Sequence, residues 1–385
     1  MSYHENMKKI LLCALALLLL ASCQQENPLG DYSYHLEINP DTGKLYCPDA
    51  DYVICLEKNP DKDFVILNLA DIQEENPKST NVKQIIDQLV STTKPDLITL
   101  TGDQSYGSAT TIRQLGEILE SYGIPWAPIL GNHDHNERET SVEDQCKLYE
   151  SFEHCLFKTG PDLGTTHNSK PSGNRVPRGG NYVINVTESE KVVKTLVFLD
   201  SGDNASYLSK DRQYENSYNW DHLTAQQVQF FNQAVSSANS QDAILFTHIP
   251  IFEYVNAISA ALKTNINVYN VNTYIAYTKK ISYEDSCKPE IWNDDYKDSY
   301  GTLHEAISCS PCDDNVFEAI RDNTDIIIVG HDHINSFIVD YKGVTFCYAM
   351  KTGPGCYYEA DLNGGTVVTI SSDGKSTVKH QRVSN

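Results

Sequence analysis

Basic side chains are scarce in this chain. Its 30 Lys and Arg stand against 52 Asp and Glu, a net charge of −22, and nowhere do the bases gather into a patch. Nucleic-acid binding rests on Lys and Arg neutralising phosphates, so this balance argues against nucleic acid as a partner. Small phosphate esters stay open, because a bound cation would dominate its local field. Internal repeats and long low-complexity tracts are missing too, which excludes a solenoid. Past the first 22 residues no apolar run approaches the ~20 residues that span a bilayer. Cys309-Ser310-Pro311-Cys312 has C-x-x-C spacing but lacks a second C-x-x-C, so a loop disulfide or plain thiols fit better than a zinc knuckle.

What is present begins with an export pattern. Lys8 and Lys9 precede the apolar run Ile10 to Leu20, which is too short to span a membrane and reads as a secretory signal. The junction Leu20-Ala21-Ser22-Cys23 resembles the lipobox of bacterial lipoproteins. That resemblance implies cleavage before Cys23, a lipid on its thiol, and a membrane partner through the lipid anchor in the cell envelope. Residues 1–22 are then the signal, 23–60 a polar tether with an edge segment, and 61–385 one large domain. Nine further cysteines follow Cys23. In an exported chain some of them pair, and close spacing favours Cys47 with Cys55 and Cys146 with Cys155.

From Phe64 onward, apolar strands end abruptly in polar residues and alternate with amphipathic helices. Strands are expected over 64–70, 97–101, 126–130, 243–247 and 326–329, with a hairpin over 183–186 and 192–199. Helices are expected over 81–91, 110–121 and 224–236, and a strand-rich end over 337–339, 344–348 and 366–370. This order gives α/β layers with mixed sheets. Ligands of such sheets bind where loops leave the carboxyl ends of strands.

Five polar clusters stand at those ends: Asp71-Ile72-Gln73, Gly102-Asp103-Gln104-Ser105-Tyr106, Gly131-Asn132-His133-Asp134, Thr247-His248-Ile249-Pro250 and Gly330-His331-Asp332-His333. Singly each has a dull reading, since an Asp after a strand is usually a cap or turn former. Five in this order point to one site. Borderline cations take carboxylate and amide oxygens with imidazole nitrogen. Two of them need a bridging carboxylate; they hold a hydroxide and a phosphate in line, and stabilise charge on the leaving oxygen.

The five-part pattern, spanning residues 64 to 350, resembles the calcineurin-like metallophosphoesterases. The runs Phe246 to Tyr254 and Gly330 to Phe337, with Lys351-Thr352-Gly353 downstream, are similar to the small purple-acid-phosphatase-like group. The resemblance implies a four-layer αββα sandwich with two mixed β-sheets, hydrolysing a phosphate ester by means of two metal ions (Fe, Mn or Zn). It places Asp71 on metal one, Asp103 as the bridge, Asn132, His248 and His331 on metal two, and His333 back on metal one. His133 would bind no metal but contact phosphate and stabilise or protonate the leaving oxygen. Asp134, His135 and Asp332 are turn or supporting residues. Most relatives have histidine at Gln73, while Tyr106 sits where purple acid phosphatases carry a tyrosinate. Either residue would complete metal one. A phosphomonoester is favoured over a diester, and a catalytically weak binding lipoprotein of the same fold is the rival reading. Residues 256–310 form an insertion rich in Tyr and Asn, a substrate wall or a surface cover, and Arg175 and Arg178 are candidate phosphate contacts.

Overall fold

Each strand expected from an apolar run forms, displaced by a residue or two. In chain order, the elements are Glu37–Ile38 (β1), Leu45–Tyr46 (β2), Val53–Glu57 (β3), Phe64–Leu69 (β4), Val82–Thr93 (α1), Leu97–Thr101 (β5), Ala109–Glu120 (α2), Trp126–Ile129 (β6) and Val142–Glu150 (α3). Tyr182–Glu188 (β7), Lys191–Phe198 (β8), Asn204–Ser206 (β9), Tyr218–Trp220 (β10), Ala225–Ala238 (α4), Ala243–Phe246 (β11) and Glu253–Ala261 (α5) follow. Val316–Ile320 (α6), Thr324–Val329 (β12), Ile338–Tyr341 (β13), Val344–Tyr348 (β14), Gly364–Ile370 (β15) and Ser376–Arg382 (β16) complete the chain. This computed structural model describes residues 29–164, 179–206, 218–263, 291–310 and 315–383. The signal, Cys23, Arg175, Arg178, and Tyr269, Tyr274, Tyr277 and Tyr283 of the insertion lie outside the described residues.

Two mixed sheets form the centre, a five-stranded one in the order β16-β15-β4-β5-β6 and a seven-stranded one in the order β13-β14-β12-β11-β8-β7-β3. Successive strand residues face opposite sides, and this alternation sorts the seven-stranded sheet into two cores. Ile184, Leu196, Phe198, Ile244, Phe246 and Ile328 join the cluster shared with the five-stranded sheet. Their neighbours Val183, Val197, Leu245 and Ile327 join the cluster that holds α4, α5 and α6. On the other sheet α1 buries Val82, Ile85, Ile86 and Leu89, the i, i+3, i+4, i+7 stripe of an amphipathic helix. Helix, sheet, sheet and helix therefore make four layers, the expected αββα sandwich. Between the sheets, Tyr182, Phe198 and Phe246 stack with centroids 4.6 and 4.7 Å apart. The Tyr182 hydroxyl crosses to the other sheet and donates to the Pro128 carbonyl at 2.7 Å.

Helix starts follow local chemistry. The Ser108 and Ser141 side chains accept from the third backbone N–H ahead, opening α2 and α3. Thr224 and Gln227 form a reciprocal capping box at α4.

Several features differ from expectation. Within 23–60, β3 pairs parallel with β7 as an edge strand of the larger sheet, in keeping with an edge segment there, and Tyr34 is buried. Helix α5 runs into the start of the stretch assigned to the insertion. β16 is an added edge strand whose residues Ser376–Arg382 alternate between exposed and half-buried, giving almost no hydrophobic signal. The pairings of Cys47 with Cys55 and Cys146 with Cys155 are not formed: all four are free thiols. The Cys47 thiol donates to Asp49 Oδ1 at 3.2 Å, and Cys146 is buried in α3 against Gly179.

Candidate metal centre

β4, β5 and β6 run parallel in one sheet, and β11 and β12 run parallel in the other. Their carboxyl ends meet, so each of the five loops projects into one place. The backbone is forced there: Asp71, Gln73, Asp103 and His331 hold φ of 54°, 46°, 55° and 82°. Few non-glycine residues adopt such values, at turns and helix ends as well as at active sites, and four of them fall together in these loops. The glycines permit the close approach. A Cβ on Gly102 would sit 2.5 Å from His248 Nδ1, and one on Gly131 would sit 2.3 Å from Asp103 Oδ1.

Asp71, Asp103 and His248 are all buried, and their ligand atoms lie within 4.8 Å of one another. Asp103 Oδ1 accepts from the His133 N–H at 2.8 Å, and its Oδ2 accepts from Gln73 Nε2 at 2.7 Å. The Asp71 carboxylate accepts from the His331 N–H at 3.0 and 3.2 Å. His248 Nδ1 donates to the Thr101 carbonyl at 2.7 Å, aiming Nε2 at Asn132 Oδ1 (3.0 Å) and Asp103 Oδ2 (3.3 Å). His333 Nδ1 donates to the Tyr357 carbonyl at 2.8 Å, and its Nε2 stands 3.6 Å from Asp71 Oδ1. Carbonyl partners on Nδ1 fix the tautomer and leave Nε2 as a metal donor.

The electrostatics describe an arrangement short of positive charge. Burial pushes the Asp71 carboxyl up to about 7, opposed by His248 and helped by Asp103. Burial would also raise Asp103, but the His248 charge and hydrogen bond hold it well below the usual carboxylate range. Burial would lower His248, yet Asp103 and Asp71 outweigh it and raise the imidazole to about 10. His331 and His333 are lowered, chiefly by burial. A proton on His248 thus does what a cation would do among these acceptors. Gln73 Oε1 and His331 Nε2 are buried without a hydrogen-bond partner. Orphaned acceptors are costly unless something fills the place, and carboxylate, amide oxygen and imidazole suit Fe, Mn or Zn. The residues therefore fit a metal centre.

Each sequence-designated ligand, Asp71, Gln73, Asp103, Asn132, His248, His331 and His333, stands at this junction with His133 beside it. Tyr106 is placed differently. Its ring packs edge-on against His133 at 5.1 Å and lies under the Arg138 guanidinium at 4.1 Å. Its hydroxyl bonds Cys356, and burial with that thiol pushes the phenol well up. Asp134 accepts from the Ser105 and Gly131 N–H groups at 2.8 and 2.9 Å. Asp332 accepts from the Tyr348 hydroxyl at 2.5 Å, and His135 pairs with Asp200 at 3.0 Å; all three are supporting residues.

Others had no signal of their own. Buried Lys351 donates to the Asp71 carbonyl; it stands in the quoted Lys-Thr-Gly run, but nothing in the pattern gave it a task. Trp220 meets His331 edge-on at 4.4 Å, and Tyr357 stacks on His333 at 4.1 Å. Glu305 was also missed.

A buried cluster of carboxylate and imidazole groups that could hold a metal, at the joined ends of two mixed sheets, fits a metallophosphoesterase architecture. Residues 64–335 match the calcineurin-like phosphoesterase family model, and the chain belongs to that family. Among curated proteins it is similar to two from Arabidopsis thaliana. One is named probable inactive purple acid phosphatase 28, 26% identical over 311 residues, 75% of this chain and 66% of that protein. The other is named probable inactive purple acid phosphatase 29, 24% identical over 328 residues, 77% of this chain and 74% of that one. Phosphatase DCR2 of Saccharomyces cerevisiae is 26% identical over 226 residues, 52% of this chain and 37% of its own length. The alignment with the first covers just under two thirds of that protein.

Proposed function

We propose that the chain is an active, exported phosphomonoesterase that works with two metal ions and is tethered to a membrane by a lipid on Cys23. One observation carries the catalytic half: two buried carboxylates, an amide oxygen and three imidazoles converge, with Gln73 Oε1 and His331 Nε2 left without partners. Asp71, Gln73, Asp103 and His333 would hold one ion, and Asp103, Asn132, His248 and His331 the other. When bound, such a pair supplies an activated water and charge stabilisation for the phosphoryl group. His133, half-buried at the rim, bonds the phosphoryl or leaving oxygen. Lys351 braces the Asp71 loop by its backbone. Rings crowd three of the histidines, Tyr106 on His133, Trp220 on His331 and Tyr357 on His333. That crowding favours a terminal phosphoryl group over one esterified on both sides.

A second reading has support in Gln73, a weaker donor than histidine, and in the names of the Arabidopsis relatives: a member of the fold with little turnover. Purified, metal-loaded protein assayed on p-nitrophenyl phosphate and bis-p-nitrophenyl phosphate separates these readings. Faster turnover of the monoester is expected, lost by about 10²–10³-fold in His133→Ala with metal content unchanged, the range for removing one aimed donor. Preference for the diester would sink the monoesterase reading, and no turnover of either would favour the second.

A further inference from the structure

Buried His333 is covered on one side by a ring that is itself open to solvent. Tyr357 stacks on the imidazole with centroids 4.1 Å apart and planes 17° from parallel, yet His333 is 4% exposed and Tyr357 48%. A lone exposed tyrosine needs no explanation, but this one is held at both ends. Its carbonyl accepts from His333 Nδ1 at 2.8 Å, and its hydroxyl donates to the Glu305 carboxyl at 3.1 and 3.0 Å. The turn before it has no slack either: a Cβ on Gly355 would stand 2.2 Å from the Ile72 carbonyl oxygen, in the first metal loop. With one face on His333 and the hydroxyl tied, the outer face of the ring is the part that water reaches.

We propose that Tyr357 is a specificity-determining residue whose open face stacks a flat aromatic group carried by the leaving alcohol of the phosphate ester. The proposal rests on the phosphoesterase reading of the site. Its geometry follows the rim of the site. His133, beside the phosphoryl or leaving oxygen in that reading, meets the edge of Tyr106 at 5.1 Å. The Tyr106 hydroxyl bonds Cys356, and Cys356 adjoins Tyr357 in the chain. A leaving group that departs past His133 therefore emerges on the side where Tyr357 stands. Tyr106 is not free for the same part, because the Arg138 guanidinium lies over its ring at 4.1 Å. Trp220, at the other metal position, meets His331 edge-on. Aromatic pairs gain from offset stacking beyond the area they bury, and a ring fixed beforehand loses little freedom when a ligand lies on it. A saturated ring of similar size buries similar area without that gain. An arene near the ester oxygen has two sources: a phenol esterified directly, or a ring held a few bonds away on a spacer such as a sugar.

The test uses the zinc-loaded full chain and phosphonates, whose P–C bond resists hydrolysis, with binding read by calorimetry. Phenylphosphonate is compared with cyclohexylphosphonate, and 2-phenylethylphosphonate with 2-cyclohexylethylphosphonate. In one pair or both the arene should bind about two- to tenfold tighter, the range of an aromatic pair. Preference in the first pair points to phenolic esters, and preference in the second alone to a ring on a spacer. Tyr357→Leu should erase the preference. Tyr357→Phe, which keeps the ring and drops the Glu305 bond, should retain it. Each comparison is a ratio within one variant, so a general weakening of the site through His333 cancels. Equal binding of arene and saturated ring by the wild type overturns the proposal. So does a preference that survives in Tyr357→Leu or is lost in Tyr357→Phe. Phosphonates that do not bind at all, with no turnover of p-nitrophenyl phosphate, would sink the phosphoesterase reading and this proposal with it, whereas binding without preference sinks the proposal alone.

Discussion

Gln73 and Tyr106 are rival donors for one place on the first metal position, and their surroundings differ sharply. Gln73 is buried with Nε2 on Asp103 and Oε1 without a partner. Tyr106 is half-buried, and its hydroxyl is engaged by Cys356. A phenol ionises near pH 10 in water, so only direct coordination would keep it ionised at neutral pH. Iron-loaded protein should therefore show no tyrosinate band, and Tyr106→Phe should leave both its visible spectrum and its metal content unchanged. Gln73→His should keep or raise metal affinity measured by calorimetry. A visible band that disappears in Tyr106→Phe would reverse the assignment. Sequence pattern brought both residues to the site but could not choose between them. The choice depends on side-chain direction, which motif spacing does not encode.

Among the elements, the end of the insertion is tied to the fifth metal loop. Tyr300 and Ile338 exchange backbone bonds at 3.2 and 2.7 Å, and the Ser336 N–H donates to the Thr302 carbonyl at 3.0 Å. Glu305 accepts from the Ile334 N–H at 3.1 Å and from the Tyr357 hydroxyl at 3.0 Å. This segment therefore supports His333 through Tyr357. Burial first, then the Asp332 carboxylate, pushes Glu305 up to about 8 from an ordinary 4.5. Because the folded pKa is raised, this carboxyl's contribution to stability is fully present below about 4.5 and is lost as pH rises toward about 8. Glu305→Gln keeps the neutral shape and cannot ionise. The melting temperature of the metal-free variant, relative to wild type, should rise between pH 5 and 8 and level off above. Parallel curves would count against a buried, protonated Glu305. The elements themselves were legible where burial writes a pattern, as in β4, β5, β11 and β12. Missing were the short helices α3 and α6, β16, an edge strand held by backbone pairing with β15, and α5, whose apolar residues continue those of the preceding motif and blur the boundary.

At the scale of the whole molecule, the site lies where the carboxyl ends of parallel strands from two sheets come together. No helix among the described residues is long and apolar enough to cross a membrane, so the proposed attachment depends on acyl chains at Cys23. Cys23→Ser should release the protein into the soluble fraction, and a processed variant that still sediments with membranes would refute the anchor. The alternation of strands and helices made α/β layers with mixed sheets legible, and the four-layer sandwich followed only from the family resemblance that the five strand-end clusters carry. The thiol states were not legible, since spacing shows which cysteines are near in sequence and nothing of the geometry a disulfide needs. The central claim is a paired metal centre that hydrolyses phosphate esters. Elemental analysis of active protein, coupled to p-nitrophenyl phosphate turnover before and after chelation, tests it most directly. The account predicts two metals per chain, loss of turnover when they are stripped and recovery when they are restored; full turnover with one metal or none would contradict it.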